Sequence, residues 1–481
     1  MKQLHKHIKI AVAFVFLTTA LVSCKKDFLE VVPKGKLVAQ KVSDYSLLLS
    51  NLDLINIGAI AQVAMSDEVA AIEPYFTGAS LKTQRLFRWD DVIYQPGEDA
   101  AEIKAPMQNI YLFNKIINEV PNATEGTEQQ KNAIAAEAMA GRAWTYFLLI
   151  NYFGKPYNQS TSATDPGFPI VKDADVTATR FTRASVKEVY DFIVNDLLTA
   201  IPNLPSKTTH RARMSKAAAE GLLGKVYLFM GKSNEALPQL NAALTDISNA
   251  EIPVRLYDYN VTFAPGGAFL PIGLFGPAYP STPNIQESVF AKQGYNSWTF
   301  SASELVLSRQ TVDLFDASDL RLKFYSKAAY FGPDYPNGLL RKMGPSNLQY
   351  GVLVPDLYLL RAECKARLND LPGAKTDLET LRKNRMPLAN SNVPVAIAGQ
   401  QLPLLKFIFD ERIREFALMG YRWFDMRRQS VDPLFSNSTV THTLYSATGG
   451  VTSTFTLKPE RLVLRLPQKL MDENPGMQNN P

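Results

Sequence analysis

The chain between residues 221 and 244 reads GLLGKVYLFMGKSNEALPQLNAAL, and no other stretch says more about how the protein folds. Apolar residues recur at helical spacing on both sides of Gly231, and small residues stand at Gly221, Gly224 and Ala236. Small side chains let two antiparallel helices approach closely, so the stretch predicts a helical hairpin that turns at Gly231. The two predicted helices are Ser215–Met230 and Ser233–Ile247.

This hairpin resembles one tetratricopeptide unit, in which two antiparallel helices pack through small residues. Tyr358–Leu381 is a looser second copy, with Ala362, Ala366 and Gly373 in the small positions. The two copies lie far apart along the chain, so they do not form a continuous array. We therefore predict a mostly α-helical fold, with tetratricopeptide-like helix pairs as the scaffold and minor β structure. The alternative is that the small residues reflect ordinary helix packing.

Helical periodicity extends through most of the remaining chain. Pro121, Gly154 and Pro202 follow three of the periodic segments and predict where those helices end. The Ser- and Thr-rich segment after Arg428 suits a short β-hairpin. The further predicted helices are Asp44–Ile57, Glu102–Val120, Glu128–Phe153, Arg183–Ala200, Asp356–Leu368, Gly373–Arg385 and Leu402–Arg428.

Residues 251–350 differ in character from the helical parts. They contain 17 aromatic residues and 17 Gly plus Pro, whereas aromatic residues make up 10% of the whole chain. Repeated helix breakers prevent long helices, so these rings must lie in loops or short strands. Loops mounted on a rigid scaffold are where binding residues concentrate. We therefore predict that residues 251–350 form a loop-rich, aromatic-rich binding region.

The first 24 residues predict export and lipid attachment. Three lysines and no acid occur in this segment, and residues 10–22 form an uncharged run that is too short to span a membrane. Leu21-Val22-Ser23-Cys24 resembles the bacterial lipobox, in which the Cys becomes the mature N-terminus and carries acyl chains. We predict a signal peptide over residues 1–23 and lipidation at Cys24. An ordinary signal peptide with a chance Cys is the alternative.

Composition excludes several classes of protein. The 481 residues are 46% hydrophobic and 20% charged, which is typical of a globular chain. No apolar run reaches the roughly 20 residues of a spanning helix. The net charge of +5 is small for this length, so a nucleic-acid-binding surface is not expected. Two cysteines are too few for a scaffold stabilised by several disulfide bonds. Cys364 lies on an apolar helical stripe, so we interpret it as a buried structural thiol.

The sequence offers little catalytic chemistry. Beyond the signal peptide it contains two histidines, His210 and His442, and neither has metal-ligand spacing. No nucleophile-elbow, P-loop or dinucleotide-binding motif occurs in a usable context. We therefore expect a binding protein rather than an enzyme, with no cofactor and no metal.

Four segments together resemble the SusD/RagB family of outer-membrane nutrient-binding lipoproteins. Glu411–Phe416 with Gly420–Arg428 is the most specific of the four, whereas the lipobox alone is not specific to this family. Two departures occur: Met419 replaces the acid that usually precedes the Gly, and Asn480 is inserted before the last Pro. The four segments are Cys24–Glu30, Glu137–Phe147 with Asn151–Pro156, Glu411–Phe416 with Gly420–Arg428, and Asn474–Pro481.

The resemblance implies a single SusD-like domain at the cell surface. It implies a protein anchored in the outer membrane by lipid that binds an oligosaccharide or a peptide. It also implies a SusC-like TonB-dependent transporter as the partner that receives the ligand. A peptide-binding RagB-like member, a surface glycoside hydrolase and a tetratricopeptide-type assembly protein remain as alternatives. The expected parts are residues 24–42 as a lipidated tether and 43–481 as the domain, divided into 43–250, 251–350 and 351–481.

Acids and bases alternate through the third segment, from Glu411 to Arg428. Such alternation suits an internal ion-pair network at a helix end. A catalytic role for Glu411 and Glu415 would require an apolar pocket and an opposing carboxylate, which the sequence does not indicate. We therefore interpret this segment as structural.

Aromatic side chains pack on the apolar face of a sugar, and Trp, of which the chain has four, is the best single platform. Trp144 and Trp423 lie in the helical motifs and are expected to be packed, which leaves Trp89 and Trp298. We predict that at least one of these two contacts the ligand; the alternative for each is that it packs its loop onto the core. The predicted ligand-binding residues are Trp89, Trp298, Tyr295, Tyr94 and Tyr75.

Overall fold

A computed structural model describes residues 39–58, 61–207, 209–295, 303–435 and 439–481. The predicted signal peptide, the lipidation site Cys24 and the candidate Trp298 lie outside these residues. Within the described ranges, no helix combines the length and the apolarity needed to cross a membrane.

α-Helices dominate the described part of the chain, as the sequence predicts. In chain order they are α1 (Val42–Leu49), α2 (Ala61–Met65), α3 (Leu81–Arg88), α4 (Ala101–Glu119), α5 (Glu128–Phe153), α6 (Val186–Ala200), α7 (Lys216–Phe229), α8 (Ser233–Asp246), α9 (Tyr259–Thr262), α10 (Arg309–Val312), α11 (Val354–Arg367), α12 (Leu371–Lys383), α13 (Val395–Ala398), α14 (Gln401–Phe416), α15 (Tyr421–Ser430) and α16 (Gln468–Glu473).

The strands are short and form a minor part of the fold. β1 pairs antiparallel with β3 and parallel with β7, and β7 forms a hairpin with β8, which gives a sheet of order β3-β1-β7-β8. Two further antiparallel pairs are β2 with β6 and β4 with β5. The strands are β1 (Val69–Ile72), β2 (Ser288–Tyr295), β3 (Leu305–Leu307), β4 (Tyr325–Ser326), β5 (Arg341–Lys342), β6 (Asn347–Leu353), β7 (Thr441–Tyr445) and β8 (Val451–Thr456).

The predicted helical hairpin is confirmed as α7 and α8, which turn at Gly231 with a φ of +75°. A Cβ atom at Gly224 would lie 2.6 Å from the Leu240 Cγ, and one at Gly221 would lie 2.7 Å from the Leu357 Cδ2. The two glycines therefore allow α7 to approach both α8 and α11. The second predicted pair, α11 and α12, packs in the same way, and α8 contacts α11. These contacts form the tetratricopeptide-like scaffold.

The strongest local signals place helix ends correctly. α5 begins and ends as predicted because Thr127 and Gln130 form a capping box at its start and Gly154 follows its last residue. The predicted helix Leu402–Arg428 is wrong in one respect: the chain forms two helices, α14 and α15. Gly420, with a φ of +84°, separates them.

The break between α14 and α15 has a tertiary cause. A Cβ at Gly420 would lie 2.5 Å from the Gln62 Cγ and 2.6 Å from the Tyr350 hydroxyl oxygen. These groups come from distant parts of the chain, so helical periodicity could not reveal them. The predicted helix Asp44–Ile57 is likewise divided, because the Asn51 side chain accepts from the Asp53 amide and starts a short 3₁₀ turn.

Most buried apolar residues, from Ile57 to Leu466, belong to one large cluster. A smaller cluster joins α1 to α4 and α5, and another lies between β1, β3 and the loop before β5. The large cluster draws on residues before 250, between 251 and 350 and after 351, in agreement with one continuous core. The limits at 250 and 350 stay a prediction.

The segment from Glu411 to Arg428 forms the expected buried ion-pair network. The Glu411 carboxylate accepts from Arg321, Arg382 and Arg414 at 2.7, 2.6 and 2.7 Å. Burial by itself would raise the pKa of Glu411, but the three guanidinium groups outweigh it and hold the pKa well below its usual range. This carboxylate is therefore charged and fully paired in the core.

A second branch of the network continues along α15. Arg412 donates to Asp356 and Asp425 at 2.7 Å each, and Arg428 donates to Glu363 at 2.6 Å and to Asp425 at 2.8 Å. These side chains join α11, α14 and α15 in the interior. The acids of this segment are engaged by arginines, which agrees with a structural role.

Candidate functional site

Trp89 is part of the core, with 5% of its surface exposed. Its ring stacks on the His442 imidazole at 3.8 Å, and its Nε1 donates to the Met65 carbonyl oxygen at 3.0 Å. Both the ring face and the N–H group of Trp89 are therefore in contact with other groups of the protein. Burial contradicts the prediction that Trp89 presents a ring face to a ligand.

Tyr94 is buried as well. Its hydroxyl donates to the Glu102 carboxylate at 3.0 Å, and burial together with that carboxylate raises the pKa of Tyr94 well above its usual range. Glu102 also pairs with Lys82. The Tyr94 ring thus belongs to the hydrophobic core, and its burial argues against the predicted ligand contact, as the burial of Trp89 does.

The remaining predicted residues have different surroundings. Tyr295 is 59% exposed at the end of β2, opposite Asn347 on β6. Tyr75 is half-buried, and its ring lies edge-on to Tyr335 with centroids 6.2 Å apart. Trp298 lies outside the described residues. Ligand contacts by Tyr295, Tyr75 and Trp298 stay predictions.

Three rings on two loops form a group that we call the aromatic face, made of Phe275, Tyr330 and Phe331. Phe331 is 81% exposed and Phe275 is 57% exposed, while Tyr330 is half-buried between them. Ring centroids are 5.9 Å apart for Phe275 and Tyr330, and 4.5 Å apart for Tyr330 and Phe331. Leu274 is exposed beside Phe275 and extends the apolar surface.

Phe275 stands at the tip of a tight loop. Gly273 and Gly276 exchange two backbone hydrogen bonds of 3.0 Å, which close the loop below Leu274 and Phe275. Gly276 has a φ of +87°, a conformation that glycine adopts without the steric cost of a side chain. The Phe275 ring at the tip of this loop is 57% exposed.

Tyr330 and Phe331 stand at the tip of a second loop. The loop is closed by two backbone hydrogen bonds, from Tyr335 to Lys327 at 2.7 Å and from Ala329 to Pro333 at 2.9 Å. Phe331 has a φ of +54°, in the left-handed region that bulky residues avoid. Such a conformation costs of order 1–3 kcal/mol and clusters at functional sites.

Arg341 and Tyr75 pack against the loop that carries Tyr330 and Phe331. The Arg341 guanidinium lies 5.5 Å from the centroid of the Tyr330 ring, and its Nε donates to the Ala328 carbonyl oxygen at 2.9 Å. A Cβ at Gly332 would lie 2.9 Å from the Tyr75 hydroxyl oxygen, so the second loop rests closely on Tyr75. Tyr75 in turn packs on the small hydrophobic cluster next to β1 and β3. The exposed rings are therefore mounted on ordered structure.

Chemically, this arrangement suits a flat ligand with apolar patches. Contiguous exposed apolar surface on a soluble domain marks an interaction site. Aromatic rings bury large areas with few rotatable bonds, and they pack on the C–H faces of sugar rings as they pack on one another. We therefore take the aromatic face as the candidate functional site.

A cavity of about 580 Å³ lies elsewhere, between α15, the turn after α5 and the β7–β8 hairpin. Its cationic side chains are already engaged: Arg422 donates to Asp67 at 2.6 Å, and Lys155 pairs with Asp165 at 2.6 Å. Phe435 lines it, but that ring packs edge-on against Phe409. The cationic side chains and the Phe435 ring of the cavity are thus already in contact with other protein groups.

Cys364 and His442 occupy structural positions in the core of the described residues. Within them, no group of three or more His, Cys, Asp and Glu side chains is placed to hold a metal ion. Cys364 is buried, as predicted, and burial raises the pKa of its thiol. His442 is fixed in the core, with each ring nitrogen 2.7 Å from a backbone carbonyl oxygen, of Phe87 and of Ser66.

The exposed rings of the aromatic face differ from the rings that the sequence pointed to. Phe275 and Phe331 lie in the predicted binding region, and each directly precedes a glycine in a stretch rich in helix breakers. An aromatic residue in that context has no helix or strand in which to be buried. That signal could have identified both, whereas choosing by tryptophan content selected the buried Trp89.

The sequence of this chain matches two protein-family models and two curated relatives. A family model described as "Starch-binding associating with outer membrane" matches residues 27–228, and the SusD family model matches residues 355–481. A SusD-like protein of Bacteroides ovatus is 23% identical over 469 residues, which cover 86% of this chain and 81% of that protein. SusD-like protein P2 of Formosa agariphila is 28% identical over 175 residues, 34% of this chain and 33% of that protein.

Solved structures show the same fold. A SusD superfamily protein of Bacteroides vulgatus matches with a TM-score of 0.71 at 20% identity, over 92% of this chain and 99% of that one. One from Bacteroides thetaiotaomicron matches with a TM-score of 0.71 at 18% identity, over 92% and 100%. A laminarin-binding SusD-like protein matches with a TM-score of 0.63 at 17% identity, over 92% and 99%.

Proposed function

This chain belongs to the SusD family, and from that premise we propose that it binds an oligosaccharide at the cell surface through its aromatic face. The observation that carries the proposal is the exposure of Phe331 and Phe275 on two closed loops, with Tyr330 between them. The laminarin-binding relative with the same fold supports a carbohydrate as the ligand. Binding and release require no proton transfer and no nucleophile, so we propose a binding protein rather than an enzyme.

In this proposal the rings act as a platform. Sugar rings lie on Phe331 and Phe275 and displace water from both apolar surfaces, which drives association. Tyr330 adds ring area and a hydroxyl group that can bond to sugar hydroxyls. Because the two loops are closed by backbone hydrogen bonds, little conformational entropy is lost when the ligand binds.

Replacement of Phe331 by Ala tests this proposal. We expect binding of an oligosaccharide to weaken by about 1–3 kcal/mol, the range measured for stacking of nucleic-acid bases on aromatic residues. The melting temperature should not fall, because the ring is 81% exposed. Isothermal titration calorimetry with laminarin and other neutral polysaccharides measures the affinity.

The matched control is Val395→Ala, which truncates another apolar side chain that is 89% exposed on α13. It should bind like the wild type. Equal affinity in Phe331→Ala and the wild type would contradict the role of the aromatic face.

We further propose that Cys24 is lipidated and anchors the protein in the outer membrane, where it passes its ligand to a SusC-like TonB-dependent transporter. The lipobox residues Leu21 to Cys24 support the anchor. More than one acyl chain on a single Cys gives stable attachment, because one chain binds membranes only marginally.

Replacement of Cys24 by Ala should release the protein from membranes or leave the precursor unprocessed. Fractionation of cells followed by intact-mass measurement checks this, and the wild type should have the mass of residues 24–481 plus acyl chains. Replacement of Ser23 by Ala keeps the thiol and serves as the control. A wild-type mature protein that begins downstream of Cys24 would refute the anchor.

A further inference from the structure

Three chain segments near the aromatic face contain almost no charge. Residues 259–286, which include Phe275, have no Asp, Glu, Lys, Arg or His, although 20% of the whole chain is charged. At that share, 28 residues would hold about five or six charged side chains. Residues 343–355 are also free of these types, and residues 433–457 contain His442 alone, which is buried.

The fold brings these uncharged segments together around the loop that carries Tyr330 and Phe331. A Cβ at Gly276 would lie 3.2 Å from the Gly344 amide nitrogen, so the Phe275 loop rests on the segment that leads into β6. The Asn337 side-chain amide donates to the Gly449 carbonyl oxygen at 2.9 Å, which ties the same loop to the β7–β8 turn.

The charged groups that do occur on the Tyr330 loop and beside it are neutralised locally. Lys327 pairs with Asp334 at 2.9 Å across the base of the loop, and Arg309 pairs with Asp313 one helical turn away. Arg341 is buried beneath the Tyr330 ring rather than presented to solvent. The two exposed ion pairs, Lys327 with Asp334 and Arg309 with Asp313, therefore add no net formal charge beside the aromatic face.

We propose that the aromatic face selects an uncharged oligosaccharide over anionic glycans and over charged peptides, an inference that rests on the proposed function above. Proteins hold carboxylate, sulfate and phosphate groups with Arg and Lys, through charge-assisted hydrogen bonds. Without such a partner, an anion placed against apolar rings loses hydration and gains no charge-assisted hydrogen bond to replace it. A neutral sugar loses no such hydration on the apolar faces of its rings.

The selectivity is tested with pairs of polysaccharides that share a backbone and differ in charge. Laminarin and dextran are the neutral members, sulfated laminarin and dextran sulfate are the anionic members, and a tryptic casein digest supplies charged peptides. Calorimetry is run at about 0.05 M and about 0.5 M NaCl, since salt screens exposed charges over this range. We expect a neutral member to bind at least about tenfold more tightly than its anionic partner, with less than about a twofold change between the two salt concentrations.

A charge added to the face tests the same idea in reverse. Leu274→Lys places a cation beside Phe275 at an exposed position. It should improve binding of sulfated laminarin and shift the ratio of the two affinities toward the anionic polysaccharide by about tenfold relative to the wild type. Val395→Lys, on α13, is the matched control and should change neither affinity.

The outcomes separate this inference from the proposed function. If an anionic polysaccharide or the peptide digest is bound most tightly, and Phe331→Ala abolishes that binding, the selectivity is wrong while the aromatic face remains the binding site. If no polysaccharide in the set binds, or if Phe331→Ala binds like the wild type, the proposed function fails and this inference fails with it.

Discussion

Replacement of Glu411 by Gln is expected to destabilise the protein by about 3–5 kcal/mol, which is a large part of the 5–15 kcal/mol that usually separates folded from unfolded chains. The Glu411 carboxylate is fully buried and pairs with Arg321, Arg382 and Arg414 at 2.6–2.7 Å. A neutral amide would leave the positive charge of these guanidinium groups uncompensated in the core. Urea and thermal unfolding followed by circular dichroism measure the loss.

The dependence of this effect on pH identifies its cause. The folded-state pKa of Glu411 lies below its unfolded value, so the stability that it contributes is complete above the unfolded pKa of about 4.3 and is lost as the pH falls through the folded value. The difference between Glu411→Gln and the wild type should therefore be largest near neutral pH and shrink in acid. Asp191→Asn, which breaks an exposed pair with Lys187, should have little effect at any pH. Near-wild-type stability of Glu411→Gln at pH 7 would contradict the structural role of the network.

Replacement of Trp89 by Ala should cost about 3–5 kcal/mol of stability through loss of buried area and creation of a cavity. The Trp89 ring stacks on His442 in the core, and its Nε1 donates to the Met65 carbonyl oxygen. Trp89→Phe keeps most of the ring and should cost less, chiefly the hydrogen bond to Met65. Thermal unfolding of the two variants measures both losses.

Folded Trp89→Ala protein, assayed below its melting temperature, should bind oligosaccharide like the wild type. This is the reverse of the expectation for Phe331→Ala, which should lose binding and keep its stability. Trp89→Ala with an unchanged melting temperature and lost binding would restore Trp89 as a ligand-binding residue.

Local signals in the sequence were enough to predict much of the scaffold. α5 has a capping box at Thr127 and a glycine after its last residue, and its predicted limits are confirmed. The hairpin of α7 and α8 followed from small residues at helical spacing around Gly231, and the close contacts of Gly221 and Gly224 explain why those positions are small.

Two of the errors share one physical origin, which is contact with residues distant in sequence. Gly420 interrupts the long predicted helix because Gln62 and Tyr350 approach it from other parts of the fold. Trp89 follows the last turn of α3, where periodicity gives no indication of burial, and its cover is provided by His442 on β7. No pattern near either residue contains this information.

The aromatic face could be predicted from the sequence only in part. Composition alone predicted that the aromatic residues of 251–350 would lie in loops or short strands, since repeated helix breakers prevent long helices there. Which of the 17 rings are exposed depends on how the loops close, through hydrogen bonds such as that from Tyr335 to Lys327. That choice required the structure.

The most direct test of the aromatic face is a crystal structure of the protein with the neutral oligosaccharide that it binds most tightly. We predict sugar rings stacked at about 4 Å on Phe331 and Phe275, with Tyr330 in contact between them. An oligosaccharide bound in the cavity beside Arg422 and Phe435, with the aromatic face unoccupied, would contradict the account.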